Sequence, residues 1–278
     1  MKLALSLILV LVSAGILLRG YFSEIRPFGI VKEAARQCPA IVRRQPVVVL
    51  WLFLPVFLAP LGGVLAQGWA TSWLPRLALG TVWQVTCTVM LALAAVRLHR
   101  GIIYRDYTNR ILAGRRELRM AAFVVGAVLV IACVRFVPTV TQSTLALPRV
   151  VLTVVDLSAF VVSWALVALF AYVGPAASFD ERRPFAVSRA SVWAQPVGTV
   201  ALVLLTQALL GLAGLAMTST ILLGEVSDIV VVLALFGTAT AMVAIFVISE
   251  TAMAIGLTRI RENAYDDTRS RDHNADWH

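Results

Sequence analysis

Cysteine, histidine and lysine are scarce in this chain of 278 residues, with three, three and two copies. Cys38, Cys87 and Cys133 stand far apart, so there is no CxxC redox or metal spacing and no disulfide framework. His99, His273 and His278 form no HExxH pair, and Walker A and GxGxxG motifs are absent. No GxSxG nucleophile elbow occurs either. These absences exclude the common nucleotide-binding, zinc-hydrolase and serine-hydrolase signatures. They predict a non-enzymatic chain with no cofactor and no metal site. Charge is also sparse, at 14% of residues, against about 25% in soluble domains. A soluble fold with so little polar surface could not cover its own core.

What fills the chain is apolar sequence: 60% of residues are hydrophobic and the mean hydropathy is +0.87. A helix needs about 20 apolar residues to cross a bilayer. Seven runs qualify or nearly do: Leu3–Leu18, Val47–Ala66, Leu77–Val96, Met120–Val137, Val150–Val173, Val197–Met217 and Ile229–Leu257. They predict an all-α, polytopic transmembrane bundle of about seven spans over 1–257. A charged, disordered tail over 258–278 is expected to follow. Pro55 and Pro60 mark the second run as the one with an interruption.

The net charge of +9 would suggest nucleic acid in a soluble protein. Here the basic residues sit in short connections that alternate in charge, so no nucleic-acid partner is expected. Twenty of the 24 basic residues fall in connections on one side of the seven runs. By the positive-inside rule that side is cytoplasmic, which places the C-terminus inside and the N-terminus outside. The strong preference for Arg over Lys points to a bacterial source and hence to the inner membrane. The first run has a second reading. Lys2 and the apolar stretch after it resemble a signal peptide, with Val12-Ser13-Ala14 as a cleavage site. An uncleaved span and an interfacial helix are the alternatives.

Two basic stretches have helical periodicity. Ile30, Val31, Ala34, Cys38, Ile41 and Val42 share one face of the first, and Pro39 is expected to kink or break it. Phe185, Ala186, Arg189, Ala190 and Trp193 share a face of the second. Both are expected to lie in the interface with Arg36, Arg43, Arg44, Arg182, Arg183 and Arg189 on lipid headgroups. Both end alike, in Gln45-Pro46-Val47 and Gln195-Pro196-Val197, each opening a span. Either two helix starts coincide, or the chain holds a parallel repeat related by an axis along the membrane normal.

The stretch from Asp180 to Trp193, Asp-Glu-Arg-Arg-Pro-Phe-Ala-Val-Ser-Arg-Ala-Ser-Val-Trp, resembles a segment in bacterial membrane proteins related to the membrane domain of glycerophosphodiester phosphodiesterases. Ile30–Val47 resembles the first such segment of that family. The resemblance implies about six spans and paired amphipathic segments. The family's catalysis resides in a soluble domain. This chain ends 21 residues after Leu257, so the resemblance implies no phosphodiesterase activity. The extra first run departs from the family pattern.

Polar groups inside spans are the default site candidates, because burying them in lipid is costly. Arg135 and Asp156 lie at compatible depths in neighbouring runs and are expected to pair, either as a clamp or as a gate. Glu250 is expected to snorkel or to meet a cytoplasmic Arg. Gln84, with Thr86 and Thr88, gives the third run a polar face, and Gln207 is central in the sixth. Ala122 with Gly126, and Gly237 with Ala241, are expected at close helix contacts. Three function classes follow: a protein that binds membrane lipids or other membrane proteins, a small-molecule transporter or channel, and a membrane-embedded enzyme acting on lipid, which would need clustered acidic or His residues that are sparse here. A polar cavity reaching mid-membrane favours the second, and an apolar cleft favours the first.

Overall fold

The computed structural model describes residues 2–69, 73–107, 115–144, 148–179, 182–222 and 228–275. Within them the side chains of several helix ends, and that of Gln84, lie outside the described set. The described residues form ten helices and no strand. These are α1 (Lys2–Tyr21), α2 (Pro27–Arg44), α3 (Pro46–Trp69), α4 (Trp73–Tyr104) and α5 (Arg115–Thr144). They continue as α6 (Arg149–Leu169), α7 (Val173–Ser178), α8 (Pro184–Ala194), α9 (Pro196–Leu222) and α10 (Asp228–Ala275). Five helices are long and apolar enough to cross a membrane, or six if the bent pair α2–α3 counts as one span. The bend between that pair is 104°. The part of α1 whose side chains are described, Leu11–Tyr21, is a shorter apolar helix.

Prolines set several boundaries, Pro46 and Pro196 at the expected helix starts. Pro27 and Pro184 occupy the first turns of α2 and α8, where a missing N–H costs nothing. Pro46 and Pro196 open α3 and α9 and force the preceding Gln out of the helical region. Gln45 has φ −127° and ψ 54°, and Gln195 has φ −137° and ψ 64°. The backbone bonding at the two junctions is also the same. Gln45 N–H donates to Ile41 C=O at 2.9 Å, and its carbonyl accepts from Val49 N–H at 3.1 Å. Gln195 N–H donates to Ser191 C=O at 3.2 Å, and its carbonyl accepts from Thr199 N–H at 2.9 Å. In contrast, α2 runs through Pro39 and α3 through Pro55 and Pro60. None of the three ends its helix.

The fifth run is interrupted by a turn near its end. α6 stops at Leu169, the chain turns over Phe170–Tyr172, and α7 resumes for six residues. Gly174-Pro175 lies just after the turn, a break signal at the end of the apolar run. The charged segment after Leu257, expected to be disordered, continues α10 as helix to Ala275. Extending an existing helix avoids the nucleation cost.

The core is concentrated near the end that carries the arginine-rich segments, called here the basic end. α10 is the central strut, touching α2, α3, α4, α7, α8 and α9. One apolar cluster joins Ile30 and Ala34 of α2 to Leu202 of α9 and Leu257 of α10. A second joins Cys38 and Ile41 of α2 to Leu52 of α3, Leu98 of α4 and Val247 of α10. The apolar face read for α2 is therefore correct in its residues. It is buried against protein, however, rather than resting among headgroups. α8 does the opposite: Ser188, Ser191 and Val192 are buried, while Ala186, Ala190 and Trp193 point out of the bundle.

Close helix approaches also differ from expectation. A Cβ added at Gly126 or Gly237 would meet open space, and Ala122 and Ala241 are exposed. The tight crossings are Gly20 on Ala201, Gly101 on Gln45, and Gly198 on Ile25.

Candidate functional site

Five segments line a half-open cavity of about 400 Å³ near the basic end. α4 contributes Thr88, Ala92, Ala95 and His99, and α5 contributes Val124, Ala127 and Ile131. The α6–α7 break supplies Phe170, Ala171, Gly174 and Pro175. Val203 and Gln207 come from α9, and Phe246, Glu250 and Met253 from α10. Most of this lining is apolar, with a few converging polar groups, the pattern of a small-molecule site.

The break is held open by one side chain. Ser188 of α8 donates its hydroxyl proton to the Leu169 carbonyl at 2.7 Å, and its Oγ accepts from Tyr172 N–H at 3.1 Å. Irregular backbone at membrane depth is tolerated only where protein satisfies it or where it lines a cavity. Both conditions hold here. Tyr172 is fully buried, and its hydroxyl lies 3.2 Å from Oγ1 of Thr199.

His99 and Glu250 form the polar end of the cavity. His99 Nε2 lies 2.8 Å from Glu250 Oε2, with the His side chain 0% exposed and the Glu side chain 25% exposed. The approach is off the N–H axis, so this is a close polar contact rather than a straight hydrogen bond. Nδ1 of His99 has no hydrogen-bond partner. The imidazole packs against Gly174, where an added Cβ would come within 3.0 Å of Cε1. The break, the histidine and the glycine are thus fitted to one another.

Behind this wall lies a separate ion cluster. Arg97, 4% exposed, has its guanidinium 3.5 Å from Glu117 and 4.0 Å from Asp106. Arg100 lies 3.9 Å from the same Asp106. Gln45 donates to the Arg97 carbonyl at 3.4 Å, which ties the α2–α3 junction to α4.

Of the five intramembrane candidates, the structure brings Gln207 and Glu250 to one cavity. Glu250 meets His99 rather than a cytoplasmic Arg. Arg135 and Asp156 are both exposed and do not form the expected ion pair. Instead Gln142 Nε2 donates to the Asp156 carboxylate, at 3.3 and 3.5 Å from its two oxygens. Gln142 is fourteen residues before Asp156 and reaches it across the α5–α6 connection, which leaves Arg135 further down α5. Gln84 lies on α4 with its side chain outside the described residues. The six headgroup candidates, Arg36, Arg43, Arg44, Arg182, Arg183 and Arg189, are all exposed. Arg44 donates to the Tyr107 hydroxyl at 3.1 Å and stacks on that ring.

His99 is the residue that sequence reasoning missed. It reads as part of an arginine-rich loop, because the run was ended at Val96. In the structure α4 continues to Tyr104. The signal was there: Ala92, Ala95, Val96, Ile102 and Ile103 surround His99 at helical spacing. Arg97 and Arg100 masked it by lowering the local hydropathy. No family model matches the chain, and no curated protein or solved structure matches it.

Proposed function

We propose that this is a non-enzymatic integral membrane protein that holds an amphiphilic membrane lipid in the cavity between α4, α5, α6–α7, α9 and α10. The observation that carries this reading is the lining: apolar walls from five segments, ending in the His99–Glu250 pair. The exposed Arg of α2 and α8 serve as contacts for anionic headgroups of the surrounding bilayer. Outward-facing Trp193 adds an interfacial anchor. The basic end faces the cytoplasm of a bacterial inner membrane, with the N-terminus outside, the C-terminus inside and α1 as a seventh, retained span.

The matched Gln-Pro junctions support a parallel repeat, α1–α4 with α6–α10, in which α5 reverses direction. A further signal supports it: Arg26-Pro27-Phe28 opens α2 and Arg183-Pro184-Phe185 opens α8. α2 has 18 residues and α8 has 11. A difference of seven residues is close to two turns and leaves the helix phase nearly unchanged.

The test is gentle purification followed by native mass spectrometry. Wild type is expected to carry an amphiphile that Ala95→Phe, which fills the cavity, releases. Equal retention by both proteins removes the reading. The α6–α7 break also favours a second reading, a transporter, since discontinuous helices line substrate sites in many such proteins. Uptake of a bound amphiphile between leaflets of proteoliposomes separates the two.

A further inference from the structure

Arg135 and Asp156 do not pair with each other, yet both continue faces that line the cavity. On α5 the cavity is lined by Val124, Ala127, Val128 and Ile131. Arg135 follows Ile131 by four residues and Val128 by seven, the spacing of a single helix face. On α6 the lining residue is Val167. Phe160 and Asp156 precede it by seven and eleven residues, again on one face. Gln142, seven residues past Arg135, donates to the Asp156 carboxylate. The two faces therefore turn to the same side of the α5–α6 hairpin.

A closed bundle would cover these faces. Instead Arg135, Phe160 and Asp156 are all exposed. The packing accounts for this. α7 and α8 join the α5–α6 hairpin to α9 and α10 at the basic end. Among the described residues α5 itself has no substantial contact with α9 or α10. The half-open cavity thus continues away from the basic end, as a passage between α5–α6 and α9–α10. Its floor is the His99–Glu250 contact.

The passage carries charge of both signs. Arg135 and Asp156 lie nine and seven residues from the helix ends at Thr144 and Arg149, within about 3 Å of the same depth. Arg135 makes no hydrogen bond or ion pair with a described residue. Asp156 is held by the amide of Gln142 alone, and a carboxylate has roughly four acceptor sites. The other cations of the hairpin lie at its ends. Arg115, Arg116 and Arg119 begin α5 at the basic end, and Arg149 opens α6 at the outer mouth. A purely anionic headgroup in the passage meets the like charge of Asp156, and a purely cationic one meets that of Arg135. A headgroup with both charges finds an opposite partner for each.

We propose that the cavity is loaded from the end opposite the basic one, and that Arg135 and Asp156 select an amphiphile with a zwitterionic headgroup. The anionic group of the guest passes against Arg135 and its cationic group against Asp156. This rests on the amphiphile-binding reading given above. It adds the side of entry, the two charged residues of the passage and the charge type of the ligand.

The experiment uses the full chain in right-side-out and inverted vesicles of the expressing cells, with Cys38, Cys87 and Cys133 replaced by Ala. Gln207→Cys reports the cavity, and Arg189→Cys, exposed on α8, marks the basic end. A membrane-impermeant maleimide is added to each preparation. Gln207→Cys is expected to react in the preparation that shields Arg189→Cys. No reaction there overturns entry from this end, and Val128→Cys, also in the lining, repeats the measurement. Retention of an amphiphile by the purified protein would then leave the cavity reading in place. Lysophosphatidylcholine, lysophosphatidylglycerol and monoacylglycerol of one chain length are next offered as guests, below the concentration that opens the vesicles. The zwitterionic guest is expected to slow labelling at least about fivefold more than either of the others, the scale of exposed ion pairs. Arg135→Gln with Asp156→Asn is expected to erase that difference. The exchanged pair, Arg135→Asp with Asp156→Arg, is expected to keep it. Equal protection by all three guests overturns the charge selection while the cavity reading stands, and that comparison needs no charge variant to fold. If none of the three slows the labelling, the cavity reading itself fails.

Discussion

Ser188→Ala is the most direct test of how the turn in the fifth run is maintained. The hydroxyl serves two buried backbone groups at once, the Leu169 carbonyl at 2.7 Å and the Tyr172 N–H at 3.1 Å. Ser188 is 0% exposed, so water has no ready path to replace it. Each orphaned buried group costs roughly 1–3 kcal/mol, so the substitution is expected to cost about 2–6 kcal/mol. The control is Ser178→Ala. That hydroxyl only back-bonds at 2.9 Å to the Gly174 carbonyl within its own short helix. Loss of one such bond costs about 1 kcal/mol. Thermal unfolding of both variants in the same detergent, followed by circular dichroism, gives the comparison. Ser188→Ala is expected to melt well below Ser178→Ala, and to lose cavity binding at temperatures where its helices remain. If the two variants melt together, the break is not held by Ser188 and the account of it is wrong.

Other expectations can be checked in the same way. Gly20→Ala places a methyl against the Cβ of Ala201, with no rotamer to relieve it. Overpacking of this kind costs about 1–3 kcal/mol, and Ala201→Gly in the same chain is expected to restore the melting temperature. A neutral Gly20→Ala variant would show that α1 does not dock on α9. Arg97→Met removes the cation beside Glu117, whose side chain is 12% exposed. Removing one partner of a buried pair costs up to about 3–5 kcal/mol. Glu33→Gln breaks the pair with Arg259, but side chains 42% and 36% exposed make this a surface interaction worth about 0–1 kcal/mol. The order of these two losses, by thermal melts at physiological salt, is the measurement. Trp193, kept as the sole tryptophan, is expected to be quenched by lipids brominated near the headgroup, since it is 72% exposed on α8.

The helical bundle was legible because run length and hydropathy act on every residue of a span. The positions where helices end were less so. α4 outlasts its apolar run because Arg97 is neutralised by Glu117, a partner twenty residues away that local hydropathy cannot weigh. That one error hid His99 and, with it, the identity of Glu250's partner. Prolines marked helix starts correctly at Pro46 and Pro196, but those inside helices misled. Pro39, Pro55 and Pro60 sit inside continuous helices, while the real break falls at Phe170–Tyr172. A proline interior to a helix loses one bond, and neighbouring packing can absorb that. The turn at Phe170 persists because Ser188, on another element, completes its backbone bonding. The amphipathic faces show the same limit. Periodicity found the right residues on α2, but the choice between lipid and protein as the covering surface depends on where α9 and α10 lie.

The two Gln-Pro junctions allow a comparison inside one molecule. Pro46 and Pro196 follow glutamines with nearly the same φ and ψ and the same pair of backbone bonds. The side-chain surroundings differ: Gln45 is fully buried on Gly101, whereas Gln195 pairs with Glu24 and is half-exposed. Proline acts at such a place mainly by restricting the unfolded chain, which is worth about 0.4–1 kcal/mol. Pro46→Ala and Pro196→Ala are therefore expected to destabilise by similar small amounts, despite their different neighbours. Denaturation midpoints of the two variants decide the matter. If one substitution costs several times the other, the prolines do different work. The likeness of the junctions would then be only geometric, and the repeat would lose its main support.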